Sequence, residues 1–510
     1  MRMKTLSAAV LAGIGLAGTA QAVHVNPDGL GEVLLYPYYT VQRNFDTYIS
    51  VVNTSSTEVK AVKVRFLEGK NSQEVLDFNL YLSPRDEWTA AITQTESGAG
   101  ITSDDTSCIA PRQLPKLGEA PEEFRNFEYV DDSVNTTART REGYVEIIEM
   151  GVVRKADLAA AATHTRNGAT VVNSPTDCAL IQAAATLDGF LNAQEDPADV
   201  TEPTGGLYGY ISQIAVRNGV KTSHDAIALD SFYDPLVDTF DLHTPPGSTA
   251  PGLDQVFPAV ANVLSNTGLA VINSPAADPL LRPIDAVSMT LMADQVVNDY
   301  AVDLDRVSRT DWVITFPTKR YYVETSNPQP FNEVWDPETS TSCDPVLIAY
   351  WDREEQVALV SDDFSPPPPS GAPTQLCNEV NTISVKPNGA PDDYITLYDA
   401  EFTAASFPLD PGFQAGWMSV AFRNPGSWIL DANGIAYFGL PAIGFSSINN
   451  TNNVLEFELD GELVQVLSNY MSSITHKKER VLRCYDGVNL EFDCLLDGGI
   501  EPEPEPEPIL

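Results

Sequence analysis

Side chains suited to acid–base chemistry near neutral pH are few in this sequence. Its five histidines lie far apart, and none falls within one helical turn of another or beside a cysteine. A Ser-His-Asp triad is defined by geometry and not by order along the chain, so such spacing still permits one. His224, which precedes Asp225 in a region of strand character, is the best candidate, but we favour a structural role for it. The five are His24, His164, His224, His243 and His476.

Adjacent acids form a second pattern with chemical meaning. A glycoside hydrolase places two carboxylates about 5–10 Å apart in a cleft, and tryptophan rings stack on sugars. Since the chain has 71 acidic residues, adjacent pairs are expected by chance, so a secreted carbohydrate-binding protein or glycoside hydrolase is the alternative and not the favoured interpretation. The pairs are Asp104/Asp105, Asp131/Asp132, Asp303/Asp305, Asp362/Asp363 and Asp392/Asp393. The tryptophans are Trp88, Trp312, Trp335, Trp351, Trp417 and Trp428.

Clustered carboxylates on loops also suit calcium, which prefers hard oxygen ligands. The sequence at 431–434, Asp-Ala-Asn-Gly, resembles the start of a calcium loop, although no EF-hand pattern follows. Calcium is therefore a possible cofactor without an assigned set of ligands, and a solvated acidic surface is the competing interpretation. A basic pair, Lys319-Arg320, is predicted to form a salt bridge with nearby acids, such as those in 352–355, rather than to recognise an anion or carboxylate.

The overall charge excludes several classes of partner. The formal net charge is −41, which argues against nucleic acid and anionic membrane surfaces. The motifs G-x-S-x-G and H-E-x-x-H and the P-loop are absent from the sequence. We therefore lean towards a protein without enzymatic activity.

The first 22 residues have the pattern of a secretory signal peptide. Arg2 and Lys4 precede an apolar run at 6–18, and Ala20-Gln21-Ala22 is a small-residue cleavage site. An uncleaved membrane anchor is the alternative, but the apolar run is short for a span. We expect an exported protein on the cell surface, in the extracellular space or in the periplasm, with no transmembrane span after cleavage.

An even number of cysteines in an exported chain indicates disulfide bonds, and six cysteines allow 15 connectivities. We favour sequential pairing, which has its clearest support in the last pair, where turn residues lie between two short apolar stretches. The absence of a CxxC motif disfavours a zinc site. The predicted pairs are Cys108–Cys178, Cys343–Cys377 and Cys484–Cys494.

The segment 59–84 has the clearest structural pattern. Apolar residues alternate with polar ones on both sides of turn residues at 69–72, which predicts two strands with all their apolar side chains on one face. We expect that face to be buried and the other to be wet, as in an antiparallel sandwich. The apolar set is Val62, Val64, Phe66, Leu76, Phe78, Leu80 and Leu82.

The remaining patterns predict a mostly β chain with a mixed middle. Five strands are expected between 31 and 93, and the polar stretch 96–141 is expected to be a surface excursion. Asn218-Gly219 and Asp460-Gly461 predict hairpins. Helices are predicted at 156–163, 174–191 and 283–300, and β structure is expected at 311–323.

These expectations combine into a fold class with antiparallel, sandwich-like (immunoglobulin-like) domains, a mixed α/β middle segment and long loops. We divide the chain into a signal peptide (1–22), an N-terminal sandwich-like domain (23–155), a mixed α/β segment (156–310), a C-terminal β-rich domain (311–500) and a disordered Glu-Pro tail (501–510). The favoured function is an exported, non-catalytic surface, matrix or envelope protein that binds a surface or matrix partner or assembles with itself.

Four long motifs add a resemblance to a known family. HVNPDGLGEVLLYPYYT (24–40), RFLEGKNSQEVLDFNLYLSP (65–84), TDWVITFPTKRYYV (310–323) and GLPAIGF (439–445) together resemble secreted, uncharacterised bacterial proteins, often labelled only as cell-surface proteins. The resemblance spans roughly residues 24–480. It implies export and a surface or extracellular address, and it brings no catalytic residue, cofactor or ligand.

Overall fold

The alternating segment 59–82 forms the predicted hairpin in a computed structural model of the chain. Strand Val59–Glu68 pairs antiparallel with strand Glu74–Leu82, and Val64 lies opposite Phe78. Six of the seven predicted apolar side chains belong to one buried cluster, and Leu76 packs against it. The predicted face and pairing are therefore confirmed.

The structure describes residues 22–129, 136–167, 171–186, 199–233, 242–265, 268–273, 282–303, 308–355, 374–391, 393–424, 426–451, 455–459, 462–466, 469–485 and 490–491. The signal-peptide pattern, the Glu-Pro tail and Cys494 lie outside these residues.

Two sheets form the first sandwich. The eight-stranded sheet has the order His24–Val25, Ile227–Asp230, Val33–Thr40, Glu142–Val153, Val59–Glu68, Glu74–Leu82 and Cys108–Ala110, with Val200–Thr201 paired to Glu142–Val153. The six-stranded sheet has the order Val220–Asp225, Leu207–Ala215, Asp46–Asn53, Glu87–Gln94, Ala99–Thr102 and Glu122–Glu123. The core lies between them, where the Phe78 and Trp88 rings pack edge to face at 5.7 Å. This arrangement confirms the sandwich-like class.

The prediction that the second face of the hairpin is wet is wrong. The side chains of Lys63 and Arg65 are 0% and 2% exposed. Segment 242–254 covers them. Lys63 Nζ donates to the carbonyl of Pro245 at 3.0 Å in this segment. The segment is also held by the Leu253 N–H, which donates to the Tyr321 hydroxyl at 3.2 Å in the short helix Arg320–Val323. Alternation indicated which side chains share a face, but it did not indicate what covers the polar face.

Two further sheets form the second sandwich. The inner five-stranded sheet has the order Ala404–Pro408, Val380–Lys386, Ser308–Thr315, Ile443–Thr451 and Asn469–Thr475, and its first two strands are parallel. The outer five-stranded sheet has the order Thr374–Leu376, Asp344–Asp352, Ala415–Ala421, Gln295–Ala301 and Lys477–Glu479. Trp312 from the inner sheet and Met418 from the outer sheet share the core between them. The other face of the inner sheet packs on the first sandwich, where Tyr38 and Tyr398 meet at 5.3 Å.

The described helices are short, at Ala156–Ala162, Cys178–Ala184, Ile284–Leu291 and Arg320–Val323, with 3-10 turns at Gln42–Asn44, Thr137–Arg141, Val216–Asn218 and Leu253–Gln255. The remaining strands are Trp428–Leu430, Ile435–Phe438, Leu482–Tyr485 and Leu490–Glu491 in one sheet, and the pairs His164–Asn167/Val171–Pro175, Ala261–Ser265/Gly268–Asn273, Met292–Ala293/Leu440–Pro441 and Leu455–Leu459/Glu462–Val466. The hairpin predicted at Asn218-Gly219 is confirmed. The strands flanking Asp460-Gly461 pair as predicted.

The helix predicted at 283–300 is wrong in its second half. The helix ends at Leu291, and strand Gln295–Ala301 follows. Val296 and Tyr300 are buried while Asp299 between them is exposed, so the strand period of two prevails over the helical spacing. Similarly, β structure at 311–323 ends at Thr315, and a helical turn begins at Arg320 beyond Pro317.

The helix predicted at 174–191 begins later than expected. Residues 171–175 form a strand, and the cap is Asp177, whose side chain accepts the Leu180 N–H at 3.1 Å. Residues 187–191 lie outside the described part. The stretch 96–141, expected to be a surface excursion, contributes three short strands to the first sandwich, and two of them, Cys108–Ala110 and Glu122–Glu123, are edge strands.

Strands from the predicted middle segment divide between the two sandwiches. Strands Leu207–Ala215, Val220–Asp225 and Ile227–Asp230 complete the first sandwich, whereas Gln295–Ala301 belongs to the second. The first sandwich therefore contains strands from both sides of the predicted boundary at 155/156. The second contains strands from both sides of the predicted boundary at 310/311.

Candidate functional site

Two tryptophans stand side by side on the outward face of the outer five-stranded sheet. Trp351 and Trp417 are opposite each other on neighbouring strands, and their rings stack at 4.0 Å with planes 11° apart. Trp417 is 42% exposed. Asp299 is paired with Trp417 on the next strand and is also exposed. The three residues form a row across the sheet, which we call the tryptophan row.

The local sequence explains why these rings point outwards. Tyr350 and Met418, the neighbours of the two tryptophans, belong to the buried core, so strand alternation places the tryptophans on the opposite face. Gly416 lets the strands approach closely, because a Cβ atom there would lie 1.9 Å from the carbonyl oxygen of Trp351. The backbone of the sheet thus holds the two stacked tryptophan rings in place.

A polar pocket of about 320 Å³ begins one side-chain position beyond the tryptophan row. Ala301 and Ala415, which pair with each other, follow Asp299 and Trp417 on the same face of their strands. The inner sheet supplies Asn450, whose side chain accepts the Ser308 hydroxyl at 2.7 Å. The lining residues are Ala301, Val302, Asp303, Ser308, Arg353, Gln414, Ala415, Asn450 and Tyr470.

This combination suits a small ligand that has both apolar and polar surface. Ligand pockets run from about 300 to 1,000 Å³ and combine aromatic walls with a few polar groups, so this one lies at the small end of the range. Asp303 lines the pocket, and Asp299 of the tryptophan row lies four residues before it, roughly 13 Å along an extended strand. That spacing exceeds the roughly 5–9.5 Å between the catalytic carboxylates of glycosidases, so these two acids do not form such a pair.

Sequence analysis named all six tryptophans, and the structure brings two of them together on the surface. Trp88 and Trp312 are fully buried in the two cores, and Trp335 and Trp428 are half-buried. The sequence predicts a strand at 417–422 and a short apolar stretch at 347–351, which contain these two tryptophans. Their partnership depends on a pairing between distant strands, for which the sequence carries no visible signal.

His224 does not form the triad that sequence analysis considered. It is buried between the sandwiches, where its ring stacks on Phe445 at 3.9 Å, and neither ring nitrogen has a hydrogen-bond partner. Burial lowers the pKa of His224 to about 3. A neutral, packed imidazole is a structural feature.

Two other histidines are also buried. His476 stacks on Trp312 at 4.6 Å, and its ring nitrogens contact Asn298 and the carbonyl of Val313. Burial lowers its pKa to about 3. His243 contacts the Tyr81 hydroxyl at 3.2 Å, and burial lowers its pKa to about 4. His24 contacts a backbone carbonyl near the chain start.

Sequence analysis did not single out His164, which has the most suggestive surroundings. Its Nε2 is 3.1 Å from Thr106 Oγ1, and its Nδ1 is 2.8 Å from Ser83 Oγ and 3.5 Å from Asp86 Oδ2. Asp86 also accepts the Ser107 hydroxyl. None of these side chains is among the residues that line the pocket beside the tryptophan row, and their hydrogen bonds join the start of strand His164–Asn167 to two loops near the Cys108–Cys178 disulfide.

The other predicted acids stand apart from the pocket or outside the described residues. Asp105 accepts the backbone N–H and hydroxyl of Ser107. Asp431 accepts the N–H groups of Asn433 and Ile435, so the stretch resembling a calcium loop is a tight turn. Within the described residues, no three His, Cys, Asp or Glu side chains gather as a metal site. Outside these residues lie Asp131, Asp132, Asp305, Asp362, Asp363 and Asp392.

Two of the three predicted disulfides are present. Cys108 bonds Cys178, and Cys343 bonds Cys377. The third pair stays a prediction, because Cys494 lies outside the described residues.

The structural role predicted for the basic pair is confirmed, although the acid that forms the salt bridge is not the example suggested by the sequence. Lys319 Nζ donates to Asp344 at 2.7 Å instead of to acids in 352–355. Arg320 donates to the carbonyl of Ser72 at 2.8 Å, in the turn of the first hairpin. The pair thus joins the two sandwiches.

Comparisons with protein-family models, curated proteins and solved structures find no match. Among the described residues, the helices are all too short or too polar to cross a membrane.

Proposed function

We propose that this protein is an exported, non-catalytic binding protein whose tryptophan row and adjoining pocket hold a glycan. Sugars present apolar C–H faces and a rim of hydroxyls. An exposed tryptophan next to a pocket with carboxylate, amide, hydroxyl and guanidinium groups complements both surfaces. The stacked pair beside the polar pocket is the observation that carries the proposal.

Sheet stabilisation is the competing explanation of the tryptophan pair. Cross-strand aromatic pairs contribute roughly 0.2–1 kcal/mol to a sheet, and Trp351 and Trp417 are such a pair. That role accounts for the stacking but not for the polar pocket that begins at Ala415 and Arg353, two residues from Trp417 and from Trp351. The two explanations differ in what substitution of Trp417 costs.

The chain contains a matched control on its other outward face. Tyr48, Tyr208 and Tyr210 are 40%, 41% and 37% exposed on the six-stranded sheet, and none of them is among the residues that line the pocket beside the tryptophan row. Tyr48→Ala therefore removes an exposed aromatic side chain of similar burial without touching the site.

The test is calorimetric titration of the purified protein with neutral glucan, xylan and chitin oligosaccharides. We expect Trp417→Ala to weaken binding by about tenfold or more, which is about 1.4 kcal/mol, while the free energy of unfolding falls by less than about 1 kcal/mol. Tyr48→Ala should leave affinity unchanged. Absence of binding to the whole panel, or equal losses in the two variants, would contradict the proposal.

A further inference from the structure

We infer that Lys319 and Asp344 join through an isopeptide bond, an amide between the lysine Nζ and the aspartate Cγ. Lys319 Nζ lies 2.7 Å from Asp344 Oδ2, and the two side chains are 2% and 0% exposed. A nitrogen at this distance from a carboxyl oxygen is roughly 3.5 Å from the carboxyl carbon, which is a near-attack distance. The two reacting groups are therefore held together and away from solvent.

Backbone groups hold both side chains of this pair in place. Lys319 Nζ also donates to the carbonyl of Ser342 at 2.6 Å, and Asp344 Oδ1 accepts the N–H of Asn332 at 2.7 Å. A free lysine side chain visits many rotamers. Because these contacts hold the amine against a single carboxyl group, they greatly raise the effective concentration of one reactant around the other.

The surroundings of the pair lower the cost of its neutral form. Phe316 and Phe331 are buried, and their ring centroids lie 5.7 and 5.3 Å from Lys319 Nζ, so the rings keep water away. Burial raises the pKa of Asp344, although the charge of Lys319 opposes this shift. Transfer of a proton from the ammonium group to the carboxylate removes both buried charges. It leaves an amine and a carboxylic acid, which are the reactants for an amide.

Glu379 lies beside this pair. The Cys343–Cys377 disulfide connects the residue before Asp344 to the residue two positions before Glu379. The N–H of Phe316 donates to the Glu379 carbonyl at 2.8 Å, and the N–H of Lys319 donates to the Phe316 carbonyl at 3.0 Å. Among the charges that act on the Glu379 carboxyl group, the charge of Lys319 is the strongest. A third reactive group thus accompanies the amine and the acid.

The carboxyl group of Glu379 is suited to carry protons. Its residue is 1% exposed, and among the described residues neither carboxyl oxygen has a hydrogen-bond partner of good geometry. Burial raises the pKa of Glu379 well above its usual value, while Lys319, Arg320 and, more weakly, the Ser72 hydroxyl oppose the shift and Glu324 adds to it. Glu379 is therefore a neutral acid that can give one proton and take another.

The reaction balances as a condensation. The amine lone pair of Lys319 attacks Cγ of the protonated Asp344, and a C–N bond forms. Glu379 donates its proton to the departing hydroxyl group and takes a proton from the nitrogen, so the C–O bond breaks and water leaves. The products are one amide, one water molecule and Glu379 in its original protonated form. Nothing is oxidised or reduced.

A second buried pair is the matched control. Lys60 Nζ lies 2.6 Å from Glu149 Oε1, and the two side chains are 1% and 0% exposed. Glu149 also accepts the N–H groups of Thr204 and Gly205. Among the described residues it therefore has three donors, one more than Asp344, and hydrogen bonds of this kind stabilise the charged form. We expect this pair to stay an ion pair.

Mass spectrometry of the purified protein, reduced and denatured, is the test. We expect the intact chain to be lighter than the unlinked chain by the mass of one water. Trypsin does not cut after an acylated lysine, so a digest should contain peptides 310–320 and 321–353 as one linked species. The peptides that carry Lys60 and Glu149 should be separate. An intact mass equal to that of the unlinked chain, with cleavage after Lys319, would overturn the inference.

Three variants assign the roles, although the wild-type digest decides the bond without them. Lys319→Arg keeps the positive charge but lacks the amine, so it should have the full unlinked mass. Glu379→Gln keeps both reacting groups and should slow linkage by at least about tenfold. Glu324→Gln, at an exposed acid whose charge also acts on Glu379, is its control and should link like the wild type. Wild-type linkage in Glu379→Gln would overturn the proton-carrying role, and a missing water in Lys319→Arg would overturn the assignment to this pair.

Discussion

Within the eight-stranded sheet, the hairpin of strands Val59–Glu68 and Glu74–Leu82 is buried on both faces, but the chemistry of its two faces differs at the level of Lys63 and Arg65. The apolar face, with Val64, Phe66 and Phe78, packs on the six-stranded sheet. The charged face, one residue out of step, buries Lys63 and Arg65 under segment 242–254 and the helix at Arg320–Val323. The same strand alternation therefore produces a hydrophobic core on one side and an ionic layer on the other.

The ionic layer holds its charges in matched sets. Arg65 Nε donates to Glu74 at 2.7 Å and its Nη1 donates to Glu146 at 3.1 Å, while Lys63 pairs with Asp77 at 2.9 Å. Burial alone would lower the pKa of Arg65, but the two carboxylates raise it overall. Buried ion pairs gain little net stability because desolvation opposes their attraction. We therefore expect the apolar face to stabilise the fold and the charged face to fix how the covering segments dock.

The largest expected effect comes from emptying the apolar face. Phe66 is fully buried, and its ring packs against those of Phe124, Tyr39 and Phe78 at 5.1, 6.1 and 6.3 Å. Phe66→Ala should lower the free energy of unfolding by about 3–5 kcal/mol through lost burial and a cavity. Urea denaturation measures this, with Phe66→Leu as the milder control. A loss below about 1 kcal/mol would mean that this face is not the main core.

The alternation in 59–82 was sufficient to predict this face, because a strand that slips by one residue would turn every apolar side chain away from the core. The charged face could not be predicted in the same way. Its cover comes from Pro245 and Tyr321, far along the chain, and no local pattern at Lys63 or Arg65 indicates their arrival. Charged residues in a strand ordinarily predict a face that is exposed to solvent. Here segments from distant parts of the chain cover that face.

A smaller loss is expected when one buried charge on the charged face loses its partner. Arg65→Met leaves Glu74 and Glu146 without their shared guanidinium, and breaking a buried pair costs about 3–5 kcal/mol. Burial, only partly offset by Arg65, already raises the pKa of Glu146, so protonation limits the cost and we expect about 3 kcal/mol at pH 7.

The matched control for Arg65→Met adds Glu146→Gln, which removes the more deeply buried of the two carboxylates that Arg65→Met leaves unpaired. This double variant should recover at least half of the lost stability, measured by the same denaturation. If the double variant is as unstable as the single one, the cost comes from lost packing of the Arg65 side chain and not from an uncompensated charge, and the contrast between the two faces weakens.

For the candidate site as well, the local sequence predicted some features, whereas others depend on contacts between distant parts of the chain. The sequence predicted a strand at 417–422, and the six tryptophans with the paired acids made a carbohydrate ligand one of the alternatives. The pairing of Trp417 with Trp351, and the arrival of Asn450 and Tyr470 from another sheet, depend on the packing of two sheets. His164 escaped notice for the same reason, since Asp86 and Thr106 come from separate loops.

The smallest expected change in the free energy of unfolding comes from Glu32, a buried acid that lies near a second acid, Glu149. Glu32, at the end of the apolar face, accepts the N–H of Tyr233 at 2.8 Å. Burial, reinforced by the charge of Glu149, raises its pKa from 4.5 to about 8. Between these values the folded protein holds a proton that the unfolded chain has lost, so the free energy of unfolding falls as pH rises, by about 1.4 kcal/mol per pH unit.

Glu32→Gln keeps an acceptor for Tyr233 but removes this titration. Relative to the wild type, the variant should therefore gain about 2 kcal/mol of stability between pH 6 and pH 7.5. Denaturation series at several pH values measure the difference, and Glu87→Gln, at an exposed acid on the six-stranded sheet, is the control. If the stability difference between Glu32→Gln and the wild type does not change across this range, Glu32 is ionised in the folded protein. An ionised Glu32 needs a cation beside it, so the end of the apolar face would carry a charged pair. The contrast between an apolar face with Val64, Phe66 and Phe78 and a charged face would then be weaker.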